Sequence, residues 1–379
     1  MKRIKLILSL SVILFTLAGC NSSTKEEGTD KETYKVGVIL PLTGPFAEYG
    51  IPLKQGMDLA LSEINDNGGI NGKKLELIIE DDKSTSKDAV NAENKLVNSD
   101  KVKLILGPLS SGNSLATAPI SEKSKVVQIS FLAGIPQFSQ AGDYIFRIYP
   151  SSELGARFAA QAAIKKFNPK KIAIMYANNP FGEASKRIYT EVANVANIKV
   201  VSTETFLDGD KDFKTQLLKI KENKPDLILC SAYWAEGAII LKQMVEMNIN
   251  MPIIGEDGWH GEIAKIVGAK GLNQLYFADI LFGKDVTENL TMQNFIKNFE
   301  SKYNKIANTA SATGYQSLFM IKQIYENTSD DADSIKNYLY KTTFSGALGD
   351  IKYDSNGDNI GVSFALFKLD SLNNAYIVK

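Results

Sequence analysis

Four strand-like runs recur in the same order in both halves of this chain, and that repeat restricts its fold more than any other feature. In the first half they are Lys35–Leu40, Leu75–Glu80, Val102–Leu106 and Val126–Ser130. In the second they are Lys171–Tyr176, Lys199–Thr203, Asp226–Cys230 and Pro252–Gly255. Near-continuous Val, Ile and Leu in such short runs marks strands covered on both faces, hence parallel strands linked by helices. The first helical stretch carries Leu53, Met57, Ala60, Leu61 and Ile64 on one stripe and stops at Asn65–Gly69, where glycine supplies a left-handed cap. Others run over 86–98 and 211–222. Two successive βαβαβαβ units predict an α/β protein of two doubly wound parallel-sheet lobes; one large α/β domain is the alternative. In such sheets ligands sit beyond the carboxyl ends of the strands, near a topological switch point. The loops after strands one, three and four of each half should therefore face each other across a ligand cleft.

The amino terminus predicts where the protein works. Lys2, Arg3 and Lys5 precede an apolar run from Leu6 to Phe15, too short to span a bilayer as a mature helix. Leu17-Ala18-Gly19-Cys20 then resembles a bacterial lipoprotein signal, with residues 1–19 removed and Cys20 becoming the first residue, carrying palmitate or a related lipid. An ordinary secretory leader with an incidental Cys is the alternative. Residues 20–33 hold no large apolar side chain and read as a flexible tether. The expected location is the extracytoplasmic face of the cell membrane, with the membrane contacted through the lipid anchor only.

Composition excludes several function classes. Lys and Arg number 43, as do Asp and Glu, and losing the three leader cations leaves the chain mildly acidic. With no basic block, nucleic acid is not an expected partner. No later run approaches the length of a membrane span. The cysteines are Cys20 and Cys230; the latter lies inside an apolar strand run and reads as a small core residue. His260 is the single histidine, which rules out a His-rich metal site and leaves a Ser-His-Asp mechanism dependent on one residue in an unpromising context. No dinucleotide glycine fingerprint, phosphate-binding loop or nucleophile elbow is present. The chain is not expected to be an enzyme, to hold a metal or to need a cofactor. Asp81 and Asp82 form an adjacent acid pair at a strand end, and neighbouring residues point apart, so they read as a solvated turn.

At the third strand end of the first lobe, Gly107–Ser114 leads into a helix. Free N–H groups at that helix start, with serine hydroxyls, suit a carboxylate. Equally, Ser110, Ser111 or Asn113 could simply cap the helix.

Three motifs carry a wider resemblance: Gly37–Gly50 (Gly-Val-Ile-Leu-Pro-Leu-Thr-Gly-Pro-Phe-Ala-Glu-Tyr-Gly), Asn65–Gly72 and Leu106–Ser111. They resemble the branched-chain amino-acid-binding proteins, which are type I substrate-binding proteins of ABC transporters. The resemblance runs from about Tyr34 to the carboxyl terminus. It implies that Ser111 holds a ligand carboxylate, that Tyr49, Phe181 and Tyr233 wall the ligand, and that Asp257 pairs with its ammonium. It also implies three passages between lobes, near 148–151, 278–282 and 348–352, giving one lobe of 34–149 plus 280–350 and another of 150–279 plus 351–379. The partners it implies are a small-molecule ligand and an ABC permease with its ATPase.

One departure lies in Ile129–Pro136. Gly134 stands where the family usually has a threonine, and Phe131 and Leu132 add bulk. The Gly134 N–H could still serve a carboxylate and the Leu132 carbonyl an ammonium. The cysteine pair of some members is replaced by Ser84 and Ser110. The expected function is two-lobe capture of an amino acid, or of another small carboxylate or amide. A sensory binding module feeding a separate receptor would use the same pocket.

Overall fold

The first set of four strands, joined by a fifth at Ile145–Arg147, builds a five-stranded parallel sheet. The computed structural model describes residues 33–256, 259, 263–372 and 374–378; the leader, Cys20 and the tether up to Glu32 lie outside the described residues. In chain order the first sheet and its helices are β1 (Tyr34–Leu40), α1 (Ala47–Asp66), β2 (Leu75–Asp81), α2 (Ser86–Asn98), β3 (Leu104–Leu106), α3 (Ser111–Ser124), β4 (Val127–Ser130), α4 (Pro136–Ser139) and β5 (Ile145–Arg147). The strand order is β2-β1-β3-β4-β5, so the topology switches at β1. The first helix ends where glycine allows it, with φ of 95° at Gly68 and 74° at Gly69.

The second sheet repeats this plan and extends it. Its elements are α5 (Ser152–Phe167), β6 (Lys171–Ala177), α6 (Pro180–Val195), β7 (Lys199–Phe206), α7 (Lys214–Asn223), β8 (Leu227–Ser231), α8 (Trp234–Glu246), β9 (Ile253–Gly255), α9 (Ile263–Gln274) and β10 (Leu275–Ile280). Helix α9 is interrupted at Gly268, whose φ is 62°. Then come α10 (Leu290–Tyr303), α11 (Thr309–Asn327), α12 (Ala332–Lys341), a hairpin of β11 (Thr343–Gly346) and β12 (Gly349–Lys352), and the strands β13 (Phe364–Leu369) and β14 (Ala375–Ile377). The order is β14-β13-β10-β9-β8-β6-β7, switching at β6, with β13 and β14 antiparallel. Cys230 is buried inside this sheet, and burial pushes its thiol pKa up, away from thiolate chemistry.

Helices α10 to α12 and the hairpin return to the first sheet, where their apolar side chains join one core with β1, β3, β4 and α1. The last passage between the sheets falls later than the expected 348–352. The Gly357 carbonyl still accepts the Arg147 N–H at 3.2 Å, and Asn359 Nδ2 donates to the Ile148 carbonyl at 2.6 Å. Only at Ser363, whose carbonyl accepts the Leu281 N–H at 2.7 Å, does the chain meet the second sheet. A turn closed between Asp354 and Asp358 takes up the extra residues.

One buried acid makes stability depend on pH. Glu93 of α2 is fully buried, accepts the Ser121 hydroxyl of α3 through Oε1, and has no partner for Oε2 among the described residues. Burial raises its pKa to about 7, partly offset by the Ser121 bond. Because the folded value lies above the unfolded one, the protein should gain stability as pH falls from about 7 towards 4.5 and lose it as pH rises through 7. Glu93→Gln should therefore stabilise by on the order of 3 kcal/mol at pH 8 and by little at pH 5. Urea unfolding at both pH values checks this; an equal gain at both would mean the carboxyl is not the cause.

Candidate functional site

Lobe one presents its candidate groups at the switch point between β1 and β3. The cap of α3 is Ser110, whose hydroxyl oxygen accepts the Asn113 N–H at 3.3 Å. Ser111 is the next residue and does not cap. Its Oγ accepts the Gly134 N–H at 3.1 Å, joining the loops after β3 and β4. The Gly134 N–H is thus directed at Ser111 Oγ.

The Gly134 carbonyl accepts both the N–H and the hydroxyl of Ser152, at 2.7 and 2.8 Å. A Cβ on Gly134 would lie 2.9 Å from the Ser152 Cβ. Threonine is excluded here by the close approach of α5, the first helix of the second lobe. Leu132 is half-buried against the first-lobe core.

The acid pair is not a solvated turn. Asp81 accepts the backbone N–H groups of Leu42 (2.9 Å), Thr43 (3.3 Å) and Lys83 (2.9 Å) and the Thr43 hydroxyl (2.7 Å). Burial pulls its pKa upward, but these bonds outweigh it and hold the carboxyl below its ordinary value. Asp82 is fully buried, and accepts the Ser84 N–H at 2.8 Å and Asn113 Nδ2 at 3.0 Å. Burial raises its pKa against those two bonds. Together the two carboxyls brace the loops after β1 and β3, which adjacency in sequence alone did not reveal.

The aromatic residues converge from both lobes. Phe181 occupies the second position of α6, a helix opened by Pro180 and capped by Asn179, whose side chain accepts the Gly182 N–H at 2.9 Å. Tyr233 immediately precedes α8. Its ring lies 5.5 Å from that of Phe181, 5.9 Å from Tyr49 and 4.9 Å from Phe46, centroid to centroid. The Trp234 N–H donates to Tyr49 Oη at 3.1 Å, a direct bond between lobes. Phe46 was missed in the sequence; its signal was an aromatic side chain in the loop after strand one.

Asp257 lies outside the described residues, as does His260. The preceding Glu256 is fully buried and accepts the hydroxyls of Ser185 (3.1 Å) and Tyr189. Trp259 is fully buried and packs over Gly255 and Gly237. It also lines a cavity of about 970 Å³ whose other walls include Glu48 and Ile51, next to Tyr49 on α1, and Phe282 and Ile306. Trp234 is half-buried against the cores of both lobes. Among the described residues no His, Cys, Asp and Glu group is arranged to hold a metal ion, and no helix is long and apolar enough to cross a membrane.

Comparison with known proteins places this geometry in context. Residues 33–373 match a family model described as periplasmic binding protein. The Leu/Ile/Val-binding protein BraC3 of Rhizobium johnstonii is 27% identical over 340 residues, covering 89% of this chain and 91% of that protein. The Pseudomonas aeruginosa leucine-, isoleucine-, valine-, threonine- and alanine-binding protein is 26% identical over 340 residues, covering 89% and 90%. Among solved structures, the branched-chain amino acid transporter substrate-binding protein LivJ of Streptococcus pneumoniae, in complex with isoleucine, matches with a TM-score of 0.84 at 27% identity. That match covers 92% of this chain and all of the other. An ABC transporter solute-binding protein of R. palustris, in complex with benzoate, has a TM-score of 0.82 at 20% identity, covering 92% and 96%, and shares the fold.

Proposed function

Because the chain belongs to the periplasmic binding protein family, with the type I fold of two α/β lobes, we propose that it is the solute-binding component of an ABC importer. Its ligand is a small amphipathic solute, an amino acid of the branched-chain type. It binds its solute rather than transforming it. The observation that carries the reading is the meeting of Tyr49, Phe181 and Tyr233 from both lobes, with α6, the helix of Phe181, in contact with α3, the helix that starts at Ser111.

An amino acid is a zwitterion, so a dry cleft needs an anion site and a cation site a few ångströms apart. The Ser111 hydroxyl and the first N–H groups of α3 provide the first. The Asp257 carboxylate, helped by the Leu132 carbonyl, provides the second. Tyr49, Phe181, Tyr233 and Phe46 enclose the apolar side chain and lend their ring faces to the ammonium. A ligand touching both lobes stabilises their closed arrangement over the open one, and the permease accepts the closed form.

In this reading lipid on Cys20 and the 20–33 tether keep the protein at the membrane beside that permease. Cys20→Ser should release it: the variant should leave the membrane fraction on mild washing, and retention there would defeat the anchor.

The test of function is a thermal-shift screen of the full-length protein in detergent against amino acids, aromatic acids and small amides. Ser111→Ala should then weaken the selected ligand by about 1–3 kcal/mol, the loss of a charge-assisted bond to a buried carboxylate. The α3 cap should survive, because Ser110 provides it, while the free protein should lose some stability as the buried Gly134 N–H loses its Ser111 acceptor. Unchanged affinity would remove Ser111 from the site. A second reading, a carboxylate or amide without an ammonium, is favoured by one observation: Gly134 replaces the threonine that would help fix an α-amino acid.

A further inference from the structure

Arg147, the last residue of β5, is a fully buried guanidinium beneath the loop that carries Gly134. Its Nη1 donates to the Ala133 carbonyl at 2.9 Å, and its Nη2 to the Ile135 carbonyl at 2.9 Å and the Ser139 hydroxyl at 2.7 Å. The carbonyl between those two belongs to Gly134 and is taken by Ser152. Three consecutive carbonyls are thus fixed, which aims the Gly134 N–H at Ser111. The third guanidinium nitrogen, Nε, lies 2.6 Å from Asp358 Oδ1, on the last segment before the chain returns to the second sheet. The Arg147 N–H bonds the Gly357 carbonyl in that same segment.

A buried ion pair is weak evidence for stability, since well-packed apolar residues often serve as well. What the planar fork adds is geometry: it holds two carbonyls two residues apart, which a point-charged lysine cannot. We propose that Arg147 is a positioning residue that sets the Ser111–Gly134 junction and couples it, through Asp358, to the last passage between the lobes. The inference rests on the reading of Ser111 as a ligand residue.

Two measurements on full-length wild type, Arg147→Lys, Asp358→Asn and Ser111→Ala test it: amide hydrogen exchange over 131–136 and calorimetric affinity for L-isoleucine. Arg147→Lys should speed exchange in that loop at least tenfold while β1 and β3 keep their protection, and should weaken L-isoleucine at least fivefold. Ser111→Ala should cost less affinity in the Arg147→Lys background than alone. Loop exchange that is unchanged, or that rises evenly across the first sheet, would overturn the proposal. Should Arg147→Lys not fold, Asp358→Asn decides, with at least threefold faster loop exchange expected and unchanged exchange refuting it. If Ser111→Ala leaves L-isoleucine affinity intact, or L-isoleucine does not bind, the ligand reading fails while the exchange result still judges Arg147.

Discussion

Gly56→Ala should destabilise the protein by about 3 kcal/mol or more, because no side chain can move aside to admit the added methyl. A Cβ on Gly56 would lie 1.9 Å from the Ser311 carbonyl oxygen and 3.0 Å from the Tyr315 backbone nitrogen. The contact is reciprocal, since a Cβ on Gly314 would lie 2.0 Å from the Leu53 carbonyl oxygen. Helices α1 and α11 therefore meet backbone to backbone, and relief requires one helix to shift as a whole. Tyr49 stands in the first turn of α1, so the shift should also draw its hydroxyl from the Trp234 N–H and weaken ligand binding. Gly155→Ala in α5 is the control: its Cβ would meet only Phe364, at 3.6 Å, and alanine is the better helix former. Urea unfolding of both variants gives the comparison. If Gly56→Ala matched Gly155→Ala in stability, the two helices could not be packed at this distance.

The α1–α11 contact also marks the limit of sequence reading. The stripe Leu53, Met57, Ala60 and Ile64 announced which face of α1 is buried, but not that its partner begins at Thr309. Periodicity is local information, and a helix that returns from so far along the chain leaves no trace in it. Strand runs were legible for the same reason: continuous apolar stretches such as Val36–Leu40 can only be covered on both faces. The aromatic residues were placed by the resemblance, which assigns Tyr49, Phe181 and Tyr233 to the ligand walls; each stands in, or directly before, the first turn of the helix that follows a strand. What stayed hidden depends on pairings between loops. Nothing in Ser110-Ser111 says which hydroxyl caps and which reaches Gly134. Nothing in Asp81-Asp82 says that Asn113 will bury the second acid. Gly134 looked like a lost hydroxyl, and its reason lies in Ser152 pressing against it from the next helix.

Asp257→Asn should lower affinity for a zwitterionic ligand at least tenfold. An ammonium buried between the lobes needs a negative partner, and the near-isosteric amide leaves it only neutral acceptors. Truncating one side of a buried charge pair costs about 2–5 kcal/mol, much of it the penalty of leaving the other charge unpaired. The opposite result has equal physical content. A plain carboxylate or a neutral amide offers Asp257 no cation, and an anion would be repelled by it. Asp257→Asn would then be neutral or would tighten binding. Titration calorimetry of both proteins, with whichever solute the thermal-shift screen returns, separates these cases. Ser111→Ala supplies the reference, because a carboxylate is common to both ligand classes and should need Ser111 in each. Loss at Ser111 together with loss at Asp257 identifies an amino acid. Loss at Ser111 with equal or better affinity in the Asn variant would end the amino-acid assignment and leave a carboxylate-binding protein of the same family.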